Sequence, residues 1–296
     1  MYKISKNTDH RELIALLRLS KIPSISNLKA IELIKKFNSA SKIFDRELEL
    51  LNSKDFKWGP AFFSKKYLEA AIQVFREADS KGYQLMGYGL KTYPYLLYQC
   101  EDAPLVLCSS GAIDWDSERW ISVVGTRTAS SYALSFVEQL IEELAPYRPT
   151  IVSGLAYGID IAAHKAAIAN ELQTIACLAH GLNRTYPKEH YKIRKAMEQK
   201  GGVLSEFTPN EPPLPYKFVQ RNRIIAGLTK ASLVIESPIK GGSLITADLA
   251  NSYQREVYAV PARTTDVHQG CNQLIRDCKA QLVSSSKDLI QFLGWD

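Results

Sequence analysis

Between residues 104 and 285, short apolar runs rich in Val and Ile recur, and helical patterns separate most of them. The runs fall at 104–109, 121–125, 150–154, 174–179, 202–206, 232–237, 257–261 and 280–285. Strands with apolar side chains at consecutive positions need cover on both faces. The intervening spacing predicts helices over 130–144, 159–170, 189–199, 218–228, 243–254 and 271–277. A strand–helix alternation of this kind predicts an α/β fold, a mostly parallel sheet with helices on both faces.

The N-terminal segment has a different texture. Residues 9–19 and 25–37 carry helix-like apolar spacing, and 61–78 reads as a third helix. The link at 21–26 holds Pro23 and two serines suited to a turn or cap. It lacks the glycines that let a phosphate approach closely, so a scaffolding role is at least as good a reading as a nucleic-acid contact. The expected organisation is a small all-helical domain over 1–80 and an α/β domain over 81–296. No stretch approaches the roughly 18 apolar residues of a membrane span, and the N-terminus does not read as a signal peptide. A cytoplasmic protein is expected. The five cysteines are odd in number and show no C-x-x-C spacing, which points to reduced thiols and away from a disulfide framework or zinc site.

The net charge of +6 permits a polyanionic partner. Its distribution says more: residues 184–200 hold six basic and two acidic side chains, and 212–235 hold no acidic residue at all.

Binding sites in open α/β sheets lie beyond the carboxyl ends of the strands, and there the candidate residues collect. VVGTRTAS (123–130) offers Gly125 for a tight turn, Thr126, Arg127 as a phosphate clamp, and Ser130 as a helix cap. Alone, this segment is a weak signal, and a plain structural turn is the somewhat better reading of it. SGLAYGID (153–160) repeats the geometry, with Ser153, and with Gly154 and Gly158 spaced for an anion nest. Asp160 reads as a helix cap and His164 as a packing residue. At 179–188, Arg184 and Lys188 extend the basic character, and Tyr186 either stacks on a base or packs against the Pro187 turn. FVQRNR (218–223) places Arg221, Asn222 and Arg223 at an expected helix start. KGGSLITA (240–247) adds Gly241, Gly242, Ser243 and Thr246 as a further anion cradle.

No nucleophile–base arrangement, zincin motif or carboxylate cluster for metal catalysis stands out. No catalytic residue, cofactor or metal is therefore expected. Glu206 and Glu236 could act as bases, but orienting Arg221 and Arg223 through buried ion pairs is the favoured reading.

Taken together, VVGTRTAS, VSGLAYGIDIAAH, TIACLAHGLNRTYPKE, GGVLSEF, FVQRNRIIAGLTKASLVIE, GGSLITADLA, REVYAVP and GCNQLI, in this order, resemble the DNA-processing protein A family (DprA, also called Smf). Residues 1–80 resemble, more loosely, its helical sterile-alpha-motif (SAM)-like domain. The resemblance implies a Rossmann-like, non-enzymatic protein that binds single-stranded DNA, protects incoming strands during natural transformation and helps load the recombinase RecA. It also implies a homodimer, and a positive pocket carried here by Arg127, Arg221 and Arg223. Departures include Ala179, Asn183, His190, Val219, Ala262 and Lys279, and the winged-helix domain of many members is not expected here. The competing class is a nucleotide-processing enzyme of the phosphoribohydrolase-like type. For that, GGSLITAD supplies Asp248 at an altered spacing where a catalytic Glu would stand.

Overall fold

The computed structural model describes residues 3–53 and 56–295. Contacts divide the chain into two units, Met1–Ser109 with Glu206–Pro209, and Ser110–Ser205 with Asn210–Asp296.

The first unit contains the expected helical segment. Its helices are α1 (Lys3–Ser20), α2 (Asn27–Phe37), α3 (Ala40–Asp45), α4 (Glu47–Leu51) and α5 (Lys65–Ser80). The Ser26 hydroxyl caps α2 by accepting a hydrogen bond from Lys29 N, and the helix buries Ile31, Leu33, Ile34 and Phe37 on one stripe. Phe44, Phe56, Phe62 and Phe63 form an aromatic cluster. The Arg18 guanidinium lies 4.0 Å from the Phe44 ring centroid. Strand β1 (Gln84–Gly87), absent from the sequence expectation, pairs antiparallel with β2 (Val106–Gly111), and the short helix α6 (Tyr95–Tyr98) lies between them in the chain.

The second unit is the α/β body. It runs β3 (Trp120–Gly125), α7 (Ser131–Leu144), β4 (Thr150–Ser153), α8 (Ile159–Ala169), β5 (Thr174–Cys177), α9 (Tyr191–Met197) and β6 (Gly201–Ser205). It continues through α10 (Pro215–Gly227), β7 (Ala231–Ile235), α11 (Gly242–Ser252), β8 (Glu256–Ala259), α12 (Gly270–Arg276), β9 (Gln281–Leu282) and α13 (Ser286–Leu293). The strand order here is β6-β5-β4-β3-β7-β8-β9, and pairings from β6 through β9 are parallel. The chain moves outward one way from β3 to β6, then crosses back to β7 and moves outward the other way. Ligand crevices of Rossmann-like folds open where the strand order reverses in this manner.

Strand alternation assigns the two faces. Ile121 and Val123 of β3 join Leu233 and Ile235 of β7 in one core with Val137 and Ile141 of α7 and Ala163 and Ala167 of α8. The small alanines let α8 sit close to the sheet. Val124 points to the other face, where α10 packs against α11.

Several boundaries differ from the sequence reading, and two of the differences have a clear local reason. Helix α10 begins at Pro215, three residues before the expected start, because proline suits the first helical position. The expected strand at 280–285 shrinks to two residues. Ser284 and Ser285 are taken up by Asp288, whose carboxylate accepts from both backbone N–H groups in a capping box for α13. Residues 188–190 form a 3-10 turn ahead of α9.

His164 is fully buried on α8. The Thr174 hydroxyl donates to Ile151 O at 2.9 Å, so His164 Nδ1, 2.7 Å from that hydroxyl oxygen, is the donor of the pair. Its Nε2 has no hydrogen-bond partner among the described residues. Burial first, then the charges of His190 and Arg221, push the imidazole from 6.5 down to about 3. The unfolded chain takes up a proton below 6.5, whereas the native protein resists doing so until about 3. Stability is therefore present above that window and lost as the pH falls through it, at up to about 1.4 kcal/mol per pH unit. Urea unfolding across a pH series is expected to show this slope, and His164→Gln is expected to flatten it.

Candidate nucleic-acid interface

Beyond the carboxyl ends of β3 and β7 lies a cavity of about 570 Å³. Its walls come from the end of β3, from α10, from the start of α11 and from the loops after β4 and β5.

The β3–α7 loop supplies Gly125, Thr126 and Arg127. It is fixed by Thr126 N donating to Glu236 O at 2.8 Å and by the Ser130 hydroxyl capping α7. Glu236 holds the same helix start, accepting from Ser130 N at 2.8 Å while its other oxygen lies 3.1 Å from His268 Nδ1. A carboxylate suits a helix N-terminus. The expectation that Glu236 orients Arg221 or Arg223 is thus replaced by a role in seating α7.

Arg127 is exposed, and its guanidinium lies 5.3 Å from the ring centroid of Phe218 on α10. Tyr186, 46% exposed, meets the same ring edge-on at 5.7 Å. Of the two readings left open for Tyr186, the cavity-facing one fits its position.

Arg221 is placed differently. Because α10 starts early, Arg221 and Arg223 stand in mid-helix, and both are buried. Arg221 is 4% exposed. Its Nη1 donates to Gly154 O at 2.8 Å and to Cys177 O, and its Nε donates to Asn222 Oδ1 at 3.2 Å. The nearby Asp160 is not the helix cap expected. It sits inside α8 and reaches back into the preceding loop, accepting from Gly154 N at 3.1 Å and Ala156 N at 3.3 Å. Burial raises the Asp160 carboxyl above its usual range and lowers the Arg221 guanidinium, and each partner's charge opposes the other's shift. Burial also pushes the Cys177 thiol up to about 12.

On the facing wall, Asn222 Nδ2 donates to Gly242 O at 3.1 Å, tying α10 to the start of α11. The hydroxyls of Ser237 and Ser243 bond each other at 2.7 Å, and Thr246 donates back to Gly242 O at 3.4 Å.

The cavity thus gathers Gly125, Thr126, Arg127, Tyr186, Arg221, Asn222, Gly241, Gly242, Ser243 and Thr246 from the expected set. Six others stand outside its lining. Ser153 is buried and donates to Val123 O at 2.6 Å. Gly154 lies beneath the Arg221 side chain. Gly158, at φ +73°, lies against the Thr126–Arg127 backbone. Arg184 donates to Asn210 O at 2.7 Å, Lys188 is exposed on the 3-10 turn, and Arg223 is buried elsewhere on α10. Of the eight further lining residues, Phe218 and Asp160 carry the chemistry that the sequence reading did not place in the site. No spacing within α10 signals the role of Phe218, because its cation partner Arg127 comes from the β3–α7 loop.

Fold and cavity define a Rossmann-like α/β protein with a cationic, aromatic-edged crevice at its strand ends. The sequence model of the DNA recombination-mediator protein A family matches residues 84–294, and the chain belongs to that family of DNA-processing proteins. It is 40% identical over 199 residues to the DNA processing protein DprA of Streptococcus pneumoniae, across 67% of this chain and 70% of that one. The X-ray structure of the S. pneumoniae protein matches with a TM-score of 0.79 at 32% identity, covering 95% of this chain and 97% of that one. DNA processing protein A from Helicobacter pylori, with a structure described for its single-stranded DNA binding mode, matches with a TM-score of 0.65 at 28% identity, over 71% and 95% of the two chains.

A Cβ added at Gly158 would run into Thr126 O and the Arg127 carbonyl, on a backbone that side chains already disfavour. Gly158→Ala is expected to destabilise the protein by more than about 1 kcal/mol, read as a lowered urea midpoint at unchanged m-value.

Proposed function

We propose that this chain binds single-stranded DNA, without a catalytic step of its own, along the crevice at the carboxyl ends of β3 and β7. The observation that carries the reading is the exposed Arg127 guanidinium set over Phe218, whose ring Tyr186 meets edge-on. A cation for the phosphate backbone next to flat rings for the bases is the general solution for holding single strands. The family likeness supports the wider role: protecting incoming strands during natural transformation and delivering them to RecA, by a homodimer working in the cytoplasm. Among the described residues, no helix is long and apolar enough to cross a membrane.

The nucleotide-processing reading finds no support at its key position. Asp248 is half-exposed, pairs with Lys279 at 2.8 Å and does not line the cavity.

Fluorescence anisotropy with labelled oligo(dT) across a salt series tests the proposal. Arg127→Ala is expected to weaken binding about tenfold or more, and to reduce the slope of log K against log salt by about 0.7, the value of one single-strand phosphate contact. Tyr186→Ala is expected to cost about 1–3 kcal/mol at nearly unchanged slope, as a stacking contact would. Unaltered affinity in the folded Arg127→Ala protein would overturn the reading, and release of a free base from a nucleotide would favour the enzyme class.

A further inference from the structure

We propose that the buried Arg221 and Asp160 form a positioning device for Arg127, so that Arg221 serves DNA binding through the protein and not by touching a phosphate. This inference rests on the single-strand reading above and assigns one of its charged residues a different task.

Arg221 has the burial and the bonding of an internal strut. Three of its N–H hydrogens are committed to Gly154 O, Cys177 O and Asn222 Oδ1. A Cβ built on Gly154 would lie 2.5 Å from Nη1, 2.6 Å from Cζ and 2.6 Å from Nη2. Three near-equal distances mean that the guanidinium plane lies face-on over the Gly154 backbone. The group is therefore held from its edge by carbonyls and from its face by the chain.

Asp160 grips the same loop from the other end through Gly154 N and Ala156 N. Between these two charges the loop bends through Leu155 at φ +59°, a left-handed conformation that a leucine adopts only when its surroundings impose it. The loop then reaches Gly158 and Ile159, and Ile159 N donates to Thr126 O at 3.2 Å. Gly158 lies directly against the Thr126–Arg127 peptide. A continuous set of contacts thus runs from Arg221 and Asp160, through the β4–α8 loop, to the backbone that carries Arg127.

The two roles for Arg221 predict opposite signs for one substitution. Asp160→Asn keeps the side-chain size and removes a negative charge beside an anion site. If Arg221 and Asp160 acted only through their charges on the DNA, that change would tighten binding. If they position Arg127, it weakens oligo(dT) binding by about five- to fiftyfold, because the loop loses its charged clamp. The second measurement is a double-mutant cycle of Arg221→Lys with Arg127→Ala in the same anisotropy assay. Positioning predicts that Arg221→Lys costs affinity alone and almost nothing once Arg127 is gone, whereas additive losses would mean that Arg221 holds a phosphate of its own. Thermal unfolding identifies variants that remain folded, and Asp160→Asn decides the matter if Arg221→Lys does not fold. A folded Asp160→Asn protein with equal or tighter binding overturns the proposal, even if its stability is lower. A normal affinity for Arg127→Ala is a distinct result: it removes the single-strand reading at this crevice, and the positioning role with it.

Discussion

Where parallel strands stop, their last carbonyls run out of ladder partners, and buried carbonyls need donors. In this protein one guanidinium meets two of them. Arg221 reaches from α10 under the ends of β4 and β5 and bonds the carbonyls of Gly154 and Cys177. A charge so deep in the fold is tolerated only with an opposite charge and satisfied hydrogen bonds, and Asp160 with its two backbone donors supplies the counterpart. The β4–α8 loop is bonded from both sides by that arrangement, and its Gly158 lies against the backbone of the β3–α7 loop.

The sheet contributes through its strand order. Because β3 lies between β4 and β7, the chains leaving β3 and β7 diverge onto opposite faces, and a gap opens between them. Gly125 and Thr126 line one side of the gap, and Gly241, Gly242 and Ser243 line the other. Hydroxyls that looked in sequence like a phosphate cradle are largely bonded to one another or to backbone. Their chemistry goes into shaping the walls, while the exposed charge is left to Arg127.

Much of this was legible in the sequence, and what was not has a physical explanation. Consecutive apolar residues announced the parallel strands, and Gly and hydroxyl residues marked the loops at their ends, because those patterns are local. Strand β1, Gln84–Gly87, has only four residues and no Val or Ile, so nothing local distinguished it. The state of Arg221 was hidden for a different reason. Its carbonyl partners are 67 and 44 residues away in the chain, and no spacing within α10 reveals whether an arginine faces water or the ends of distant strands. Asp160 looked like a helix cap because it follows the glycine loop at the start of α8, yet it lies within the first turn and its hydrogen bonds run backward into the loop. The pairing of Arg127 with Phe218 joins two segments that only the folded sheet brings together.

On the proposed single-strand reading, that pairing would bear on how fast and how selectively a strand is captured. A free arginine side chain samples many rotamers, and ordering it against a ligand costs about 0.5–1.5 kcal/mol. Here the guanidinium already rests on Phe218, with Tyr186 edge-on to the same ring, so its direction is set before any ligand arrives. On the proposed reading the crevice mouth would be a preset landing place, where a backbone phosphate and its neighbouring base would meet the cation and the rings in one encounter. A free phosphate would engage only the cationic half of that surface.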